Sequence, residues 1–124
     1  MAAYQARHTD PTVLMQALEQ DARAFIVLSR TFLDIAPSML RRLQAAATSR
    51  KAEAIAFESH ALKNTVALVG AKELATLLEA LELSAHTNRL PPEGDLLGDV
   101  PSLYALVEDE VRDQIRYYES MGGV

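Results

Sequence analysis

Apolar side chains recur at spacings of three or four residues over positions 21 to 47, and this pattern constrains the fold more than any other feature. Successive helical residues lie about 100° apart around the axis, so this spacing puts the side chains on one face of an α-helix. A face this continuous must pack against other helices. The predicted seam is Phe25, Leu28, Phe32, Ile35, Met39, Leu43 and Ala46.

Pro37 lies inside this seam. Proline removes one backbone donor and clashes with the preceding turn, so we expect a kink or a short break near Ile35 and Ala36. The seam keeps its phase across the proline, which favours the kink.

Four other segments are predicted to be helical. Asp10 before Pro11 is a start signal for a short helix to about residue 20. A helix over about 51–69 ends at Gly70, the next continues to about residue 86, and the last spans about 102–120. The expected inward residues are Met15, Leu18, Ile55, Ser59, Leu62, Val66, Val69, Leu74, Leu77, Leu78, Leu81, Ala85, Leu103, Val107, Val111, Ile115 and Tyr118.

These segments predict an all-α fold, because no stretch shows the alternation typical of strands. The short connection at Gly70 makes its two helices antiparallel neighbours. We therefore expect an antiparallel up-down four-helix bundle with an additional short N-terminal helix. Residues 88–102, rich in proline and glycine, form the one long loop, and Leu96 and Leu97 are candidates to fold back onto the bundle.

Length and composition exclude several classes of function. The 124 residues suit a single domain, 1–124. The absence of cysteine excludes disulfides, thiolate metal sites and cysteine nucleophiles, and a reducing cytoplasm is the simpler assumption. No apolar run approaches the roughly 18 residues of a membrane span, so we expect no direct membrane contact. A net charge of −5 provides no basic stripe for nucleic acid.

Two kinds of site have no motif in this sequence. His8 and His86 belong to no dense ligand pattern, so we expect no metal site. Without a glycine-rich phosphate loop, ATP binding and autonomous kinase activity are not expected either.

His60 is predicted to face away from the core, because it lies about 160° around the helix from buried Leu62. An exposed histidine is ordinarily a solvated residue, and that interpretation stays open at this point. The same outer face carries Lys63, Asn64, Ala56 and Ala67, with Phe57 and Leu68 at its edge.

The order His60, Leu62, Lys63 and Gly70 resembles the signature of histidine phosphotransfer (HPt) domains, His-x-Leu-Lys-Gly with a second glycine ten residues after the histidine. Residues 28–43, LSRTFLDIAPSMLRRL, resemble the preceding helix of that family, and the likeness extends over about residues 10–120. One position departs from the pattern: Asn64 stands where the family usually has glycine. This departure bears on transfer rate and partner choice.

The resemblance implies a phosphocarrier without autonomous catalytic activity. His60 would accept a phosphoryl group through Nε2 from a receiver-domain aspartate and pass it to another response regulator. Lys63 would offset the phosphoryl charge, and Glu82, twenty-two residues after the histidine, would orient the imidazole. Wheel geometry places Glu82 about 40° from Leu78, on the flank of the inner stripe, from which it can lean towards the preceding helix. The expected partner-binding residues are Asn64, Ala56, Phe57, Ala67, Leu68 and Gly70.

The resemblance also bears on cofactors and partners. No cofactor is expected, since the partner receiver domain would supply Mg²⁺. The partners would be receiver domains of response regulators or of a hybrid kinase, and we expect a monomer. The chain would be either free-standing or a module of a hybrid sensor kinase.

Two alternative functions remain open from the sequence. One is an HPt-like helical domain that docks receivers without being phosphorylated, an alternative that Asn64 keeps open. The other is the phosphoacceptor domain of a chemotaxis-type kinase, which shares the bundle and the histidine.

Overall fold

The computed structural model describes residues 6–121, which form five α-helices and one 3-10 turn without any β-strand. This confirms the all-α prediction. The helices are α1 (Pro11–Ala17), α2 (Ala22–Ser49), α3 (Ala52–Ala67), α4 (Lys72–His86) and α5 (Val100–Ser120), with the 3-10 turn at Glu93–Asp95. None of the helices in this part of the chain is both long and apolar enough to cross a membrane.

The four long helices pack as a ring around one core. Helix α2 contacts α3 and α5, α4 contacts the same two helices, and α1 packs against α2. The connections from α2 to α3 and from α3 to α4 are too short for anything but antiparallel neighbours. The largest fully buried apolar side chains are Phe25, Leu43, Ile55, Leu62, Leu74, Leu78, Val66, Val107 and Val111.

The buried face of α2 is rotated from the predicted seam. Leu28 and Ile35 are 43% and 47% exposed, so their placement in the core was wrong. Their neighbours Ser29 and Ala36 are buried instead. The prediction assigned the larger apolar residues to the core. At these two positions the small side chains are buried instead, because they let the neighbouring helices approach closely. The helix is also continuous through Pro37, so the alternative of a short break was wrong.

The start of α1 at Asp10 lies against the turn after α3 at Gly70, and both predicted boundary signals are present there. The Asp10 side chain accepts a hydrogen bond from the Thr12 backbone N–H at 3.0 Å and caps α1, which ends at Ala17 instead of near residue 20. The Asp10 N–H donates to the Val69 carbonyl at 3.0 Å. Gly70 has φ +70°, and a Cβ there would lie 2.6 Å from the Asp10 carbonyl oxygen. Glycine is therefore required for this close approach.

The segment before α1 is tied to α5 by polar contacts. The Glu110 carboxylate accepts hydrogen bonds from the backbone N–H groups of Arg7 and His8, at 3.1 and 2.9 Å. It also accepts one from the Thr9 hydroxyl at 2.7 Å. Gln114, buried on α5, donates to the same hydroxyl at 2.6 Å. We call residues 7–9 the N-terminal strap.

The long loop folds back onto the bundle, as predicted. Leu96 is buried and Leu97 is partly buried against the core. These contacts cover the end of the bundle where α5 begins at Val100.

Candidate functional site

His60 lies in the second half of α3 and its ring projects from the outer face of the helix. Ser59 and Leu62 belong to the core-facing stripe of α3 and are fully buried. His60 lies about 160° around the helix from Leu62, so its side chain points away from the core. The His60 side chain is 55% exposed. The ring is therefore accessible to a second molecule while its backbone is held by a packed helix.

Glu82 on α4 reaches across to the His60 ring. Its Oε2 lies 3.0 Å from His60 Nδ1, and its Oε1 accepts a hydrogen bond from Lys63 Nζ at 3.0 Å. One carboxylate thus joins two α3 side chains that are one turn apart. Both of its oxygens are occupied, so the carboxylate has little freedom to turn away from the ring.

Glu82 is held in its ionised form. Partial burial alone would raise the pKa of its carboxyl, but the hydrogen bond and charge of Lys63, with a smaller contribution from His60, outweigh it and lower the pKa below its usual value. An ionised carboxylate only accepts hydrogen bonds, so His60 Nδ1 must carry the proton. In the neutral ring the lone pair then lies on Nε2, the other nitrogen.

His60 Nε2 is contacted by Asn64, one turn along α3. The Asn64 amide nitrogen Nδ2 lies 3.2 Å from Nε2, and both side chains are exposed. The sequence places Asn64 beside the histidine but does not predict this hydrogen bond.

A groove of about 560 Å³ runs beside His60 between α3 and α4. It is lined by Ala52, Glu53, Ala56, Phe57, His60, Glu82, Ala85, His86 and Asn88.

The predicted outer face is only partly correct. Phe57 and Leu68 are 69% and 58% exposed, and Ala67 is exposed as well. Ala56 is only 5% exposed, so its placement on the outer face was wrong. Ala56 lies on the flank of α3 that packs against α4, and it lines the groove there.

The structure does not bring Gly70 to the His60 surface. Ten residues of helical rise correspond to about 15 Å between the two positions. Gly70 lies instead against Asp10 at the α3–α4 turn, so its packing there accounts for the glycine. The Lys63 side chain is only 22% exposed, because its ammonium group contacts Glu82.

His86 is a groove residue that the sequence reasoning missed. Its Nε2 lies 3.6 Å from Glu82 Oε2, the same oxygen that meets His60. Its position four residues after Glu82 on α4 was the signal that could have found it. Among residues 6–121, no group of three or more histidine, aspartate or glutamate side chains is arranged to hold a metal ion.

Comparisons with known proteins agree with this geometry. The family described as Hpt domain matches residues 27–116 of the chain. The crystal structure of histidine-containing phosphotransfer protein B (HptB) from Pseudomonas aeruginosa PAO1 is similar to this structure, with a TM-score of 0.81 and 28% sequence identity. The match covers 92% of this chain and 99% of HptB. A comparison with functionally curated proteins returned no significant match.

Proposed function

The chain belongs to the Hpt domain family of histidine phosphotransfer proteins, and on that premise we propose that His60 is its phosphoacceptor. The observation that carries this proposal is the contact of His60 Nδ1 with Glu82 on an otherwise exposed ring. A carboxylate at Nδ1 fixes the tautomer whose outward nitrogen, Nε2, is nucleophilic.

The proposed reaction is a direct displacement at phosphorus. The Nε2 lone pair forms the N–P bond while the P–O bond to a receiver aspartate breaks, and the electron pair leaves with that carboxylate. The ring becomes cationic and keeps its Nδ1 proton in the hydrogen bond to Glu82. The negative charge of Glu82 therefore stabilises the phosphorylated ring as well as the reactive tautomer.

Lys63 acts in this proposal mainly through Glu82. Its 3.0 Å contact with Oε1 leaves Oε2 aimed at the ring and keeps the carboxylate ionised. This contact uses one of the three N–H donors of the ammonium group, so the charge offset on phosphoryl oxygens that the signature suggests remains part of the proposal.

The proposed partners are receiver domains, which would donate the phosphoryl group and accept it again in a phosphorelay. The groove beside His60 offers an apolar contact surface next to the imidazole ring. The receiver would supply Mg²⁺, since phosphoryl transfer depends mainly on positioning and charge stabilisation. This domain would then need no cofactor or catalytic activity of its own. A cytoplasmic location and a monomeric state stay predictions from the sequence.

The test is transfer of label from a phosphorylated receiver. We expect acid-labile label on the wild-type protein, none on His60→Gln, and wild-type label on His8→Gln, the matched control at a histidine outside the groove. Addition of an unphosphorylated second receiver should remove the label. Label retained on His60→Gln would contradict the proposal.

Two further results would point to the alternative functions. Stable receiver binding with no label on any variant would indicate docking alone. Label that forms only with purified kinase catalytic cores and ATP, and never with a phosphorylated receiver, would indicate the acceptor domain of a chemotaxis-type kinase.

A further inference from the structure

Asn64 stands where the Hpt signature usually has glycine, and its amide contacts the nitrogen that the proposed reaction needs. Asn64 Nδ2 and His60 Nε2 are 3.2 Å apart, within hydrogen-bonding distance. A glycine at this position could make no such contact. The feature therefore distinguishes this chain from the usual pattern of its family.

The chemistry of the neighbouring groups fixes the direction of this hydrogen bond. Glu82 is an ionised acceptor on the far side of the ring, so Nδ1 is the protonated nitrogen. Nε2 of the neutral ring then has only a lone pair to offer. A donor must face it, and the Asn64 side chain has one in its NH₂ group.

We propose that Asn64 is a positioning residue that holds and masks the His60 Nε2 lone pair in the unphosphorylated protein. Together, Glu82 and Asn64 bind both ring nitrogens and allow one tautomer and one ring orientation. The same lone pair must form the N–P bond, so the Asn64 hydrogen bond must break before attack. This inference rests on the proposed function of His60.

Masking has a measurable kinetic consequence. An exposed hydrogen bond of ordinary net strength would slow attack by roughly two- to tenfold. After transfer, Nε2 has no lone pair, and the amide N–H is released for another acceptor. Asn64 thus makes the resting site less reactive than one with glycine.

A pair of variants separates the hydrogen bond from the bulk of the side chain. Asn64→Leu keeps a similar volume but cannot donate, and Asn64→Ala removes both. The probe is phosphoramidate, a small donor that needs no docking surface: its P–N bond breaks as the bond to Nε2 forms, and ammonia leaves. We expect both variants to be phosphorylated about two- to tenfold faster than wild type.

Two kinetic outcomes would overturn the masking role. If only Asn64→Ala is faster, the side chain obstructs by its bulk. If neither variant is faster, the hydrogen bond does not restrain the lone pair. Helical circular dichroism of each variant confirms that the bundle is folded.

A second measurement does not depend on phosphotransfer. In the unphosphorylated protein, the ¹⁵N resonance of His60 Nε2 should differ between wild type and Asn64→Leu, while Nδ1 stays protonated in both. An unchanged Nε2 resonance would overturn the proposed hydrogen bond from Asn64 and leave the proposed function of His60 untouched. Absence of label on every protein, wild type included, would instead overturn the proposed function and the masking with it.

Discussion

Lys63 and Glu82 form an ion pair whose charge state governs how the His60 ring is held. Partial burial raises the Glu82 pKa, and the hydrogen bond and charge of Lys63 lower it. Replacing Lys63 with methionine removes that hydrogen bond and charge, so that only the smaller contribution of His60 opposes the effect of burial. We expect the Glu82 pKa to be higher in Lys63→Met than in wild type. A ¹³C NMR titration of the Glu82 carboxyl measures this directly, and an unchanged pKa would contradict the assigned role of Lys63.

The same shift sets the sign of a pH effect on stability. The Glu82 pKa is lower in the folded protein than in the unfolded chain. The contribution of Glu82 to the free energy of unfolding is therefore fully present above the unfolded-state pKa, and it is lost as the pH falls through the folded-state pKa. In Lys63→Met this acid-sensitive contribution should decrease or reverse.

Glu82 is expected to contribute to the reaction through its charge. Glu82→Gln keeps the shape and an acceptor for Nδ1 but loses the charge that stabilises the cationic ring. We expect phosphorylation by a receiver to slow about tenfold, the difference between a charged and a neutral hydrogen bond. Glu79→Gln, an exposed position one turn earlier on α4, is the matched control. Equal rates for Glu82→Gln and wild type would remove Glu82 from the mechanism.

Helical periodicity predicted some features of these residues and not others. The direction of His60 follows from the angle between it and Leu62, which the helix fixes. The contacts of Lys63 and Asn64 do not follow from periodicity. Both side chains rotate freely enough to reach several partners, so neighbouring charges and hydrogen-bonding groups decide their positions.

At the scale of elements, the turn between α3 and α4 depends on Gly70. Gly70→Ala places a Cβ on Asp10 backbone atoms at a positive φ, and we expect a loss of about 2–4 kcal/mol in the free energy of unfolding. Urea denaturation measures it.

Two other glycines provide matched controls. Gly98 has φ +52°, and a Cβ there would make only an ordinary contact, 3.9 Å from the Asp95 carbonyl oxygen. Gly98→Ala should therefore show the backbone strain alone, about 1 kcal/mol. Gly94 has neither feature, and Gly94→Ala should change stability by less than about 0.5 kcal/mol. A similar loss at all three positions would contradict the role given to the Asp10 contact.

Element boundaries were predicted well where a local signal marks them. The Asp10–Pro11 start and the Gly70 end follow from backbone chemistry that is visible in the sequence. The face of α2 was less predictable. Leu28 and Ser29 lie about 100° apart around the axis, as do Ile35 and Ala36. The rotation of the helix against its neighbours therefore decides which residue of each pair is buried.

At the scale of the whole molecule, the N-terminal strap joins the two ends of the described chain. Glu110→Ala leaves two backbone N–H groups and the Thr9 hydroxyl without their shared acceptor. We expect the free energy of unfolding to fall by about 1–3 kcal/mol, measured in urea.

Asp109→Ala is the control for the strap. It removes a neighbouring exposed carboxylate whose contact is with Arg112 on the same helix. Its effect should be within about 0.5 kcal/mol. A loss as large as that of Glu110→Ala would indicate a general helix effect and not the strap.

The bundle could be predicted from the sequence because each long helix has its own apolar face and the α3–α4 connection is short. The strap could not. It joins residues that are more than a hundred positions apart through hydrogen bonds, and no periodic pattern marks such pairs. The sequence did not predict the groove at His60. Ala85 was expected in the core and His86 had no assigned role, but the packing of α4 brings both to the groove lining.

The most direct test of the account is to locate the phosphorus atom in the phosphorylated protein. Scalar coupling between ³¹P and ¹⁵N in histidine-labelled protein identifies the bonded nitrogen. The account predicts one coupling, to Nε2 of His60, with Nδ1 still protonated. A phosphoryl group on Nδ1 of His60, on His8 or His86, or on a carboxylate would contradict it.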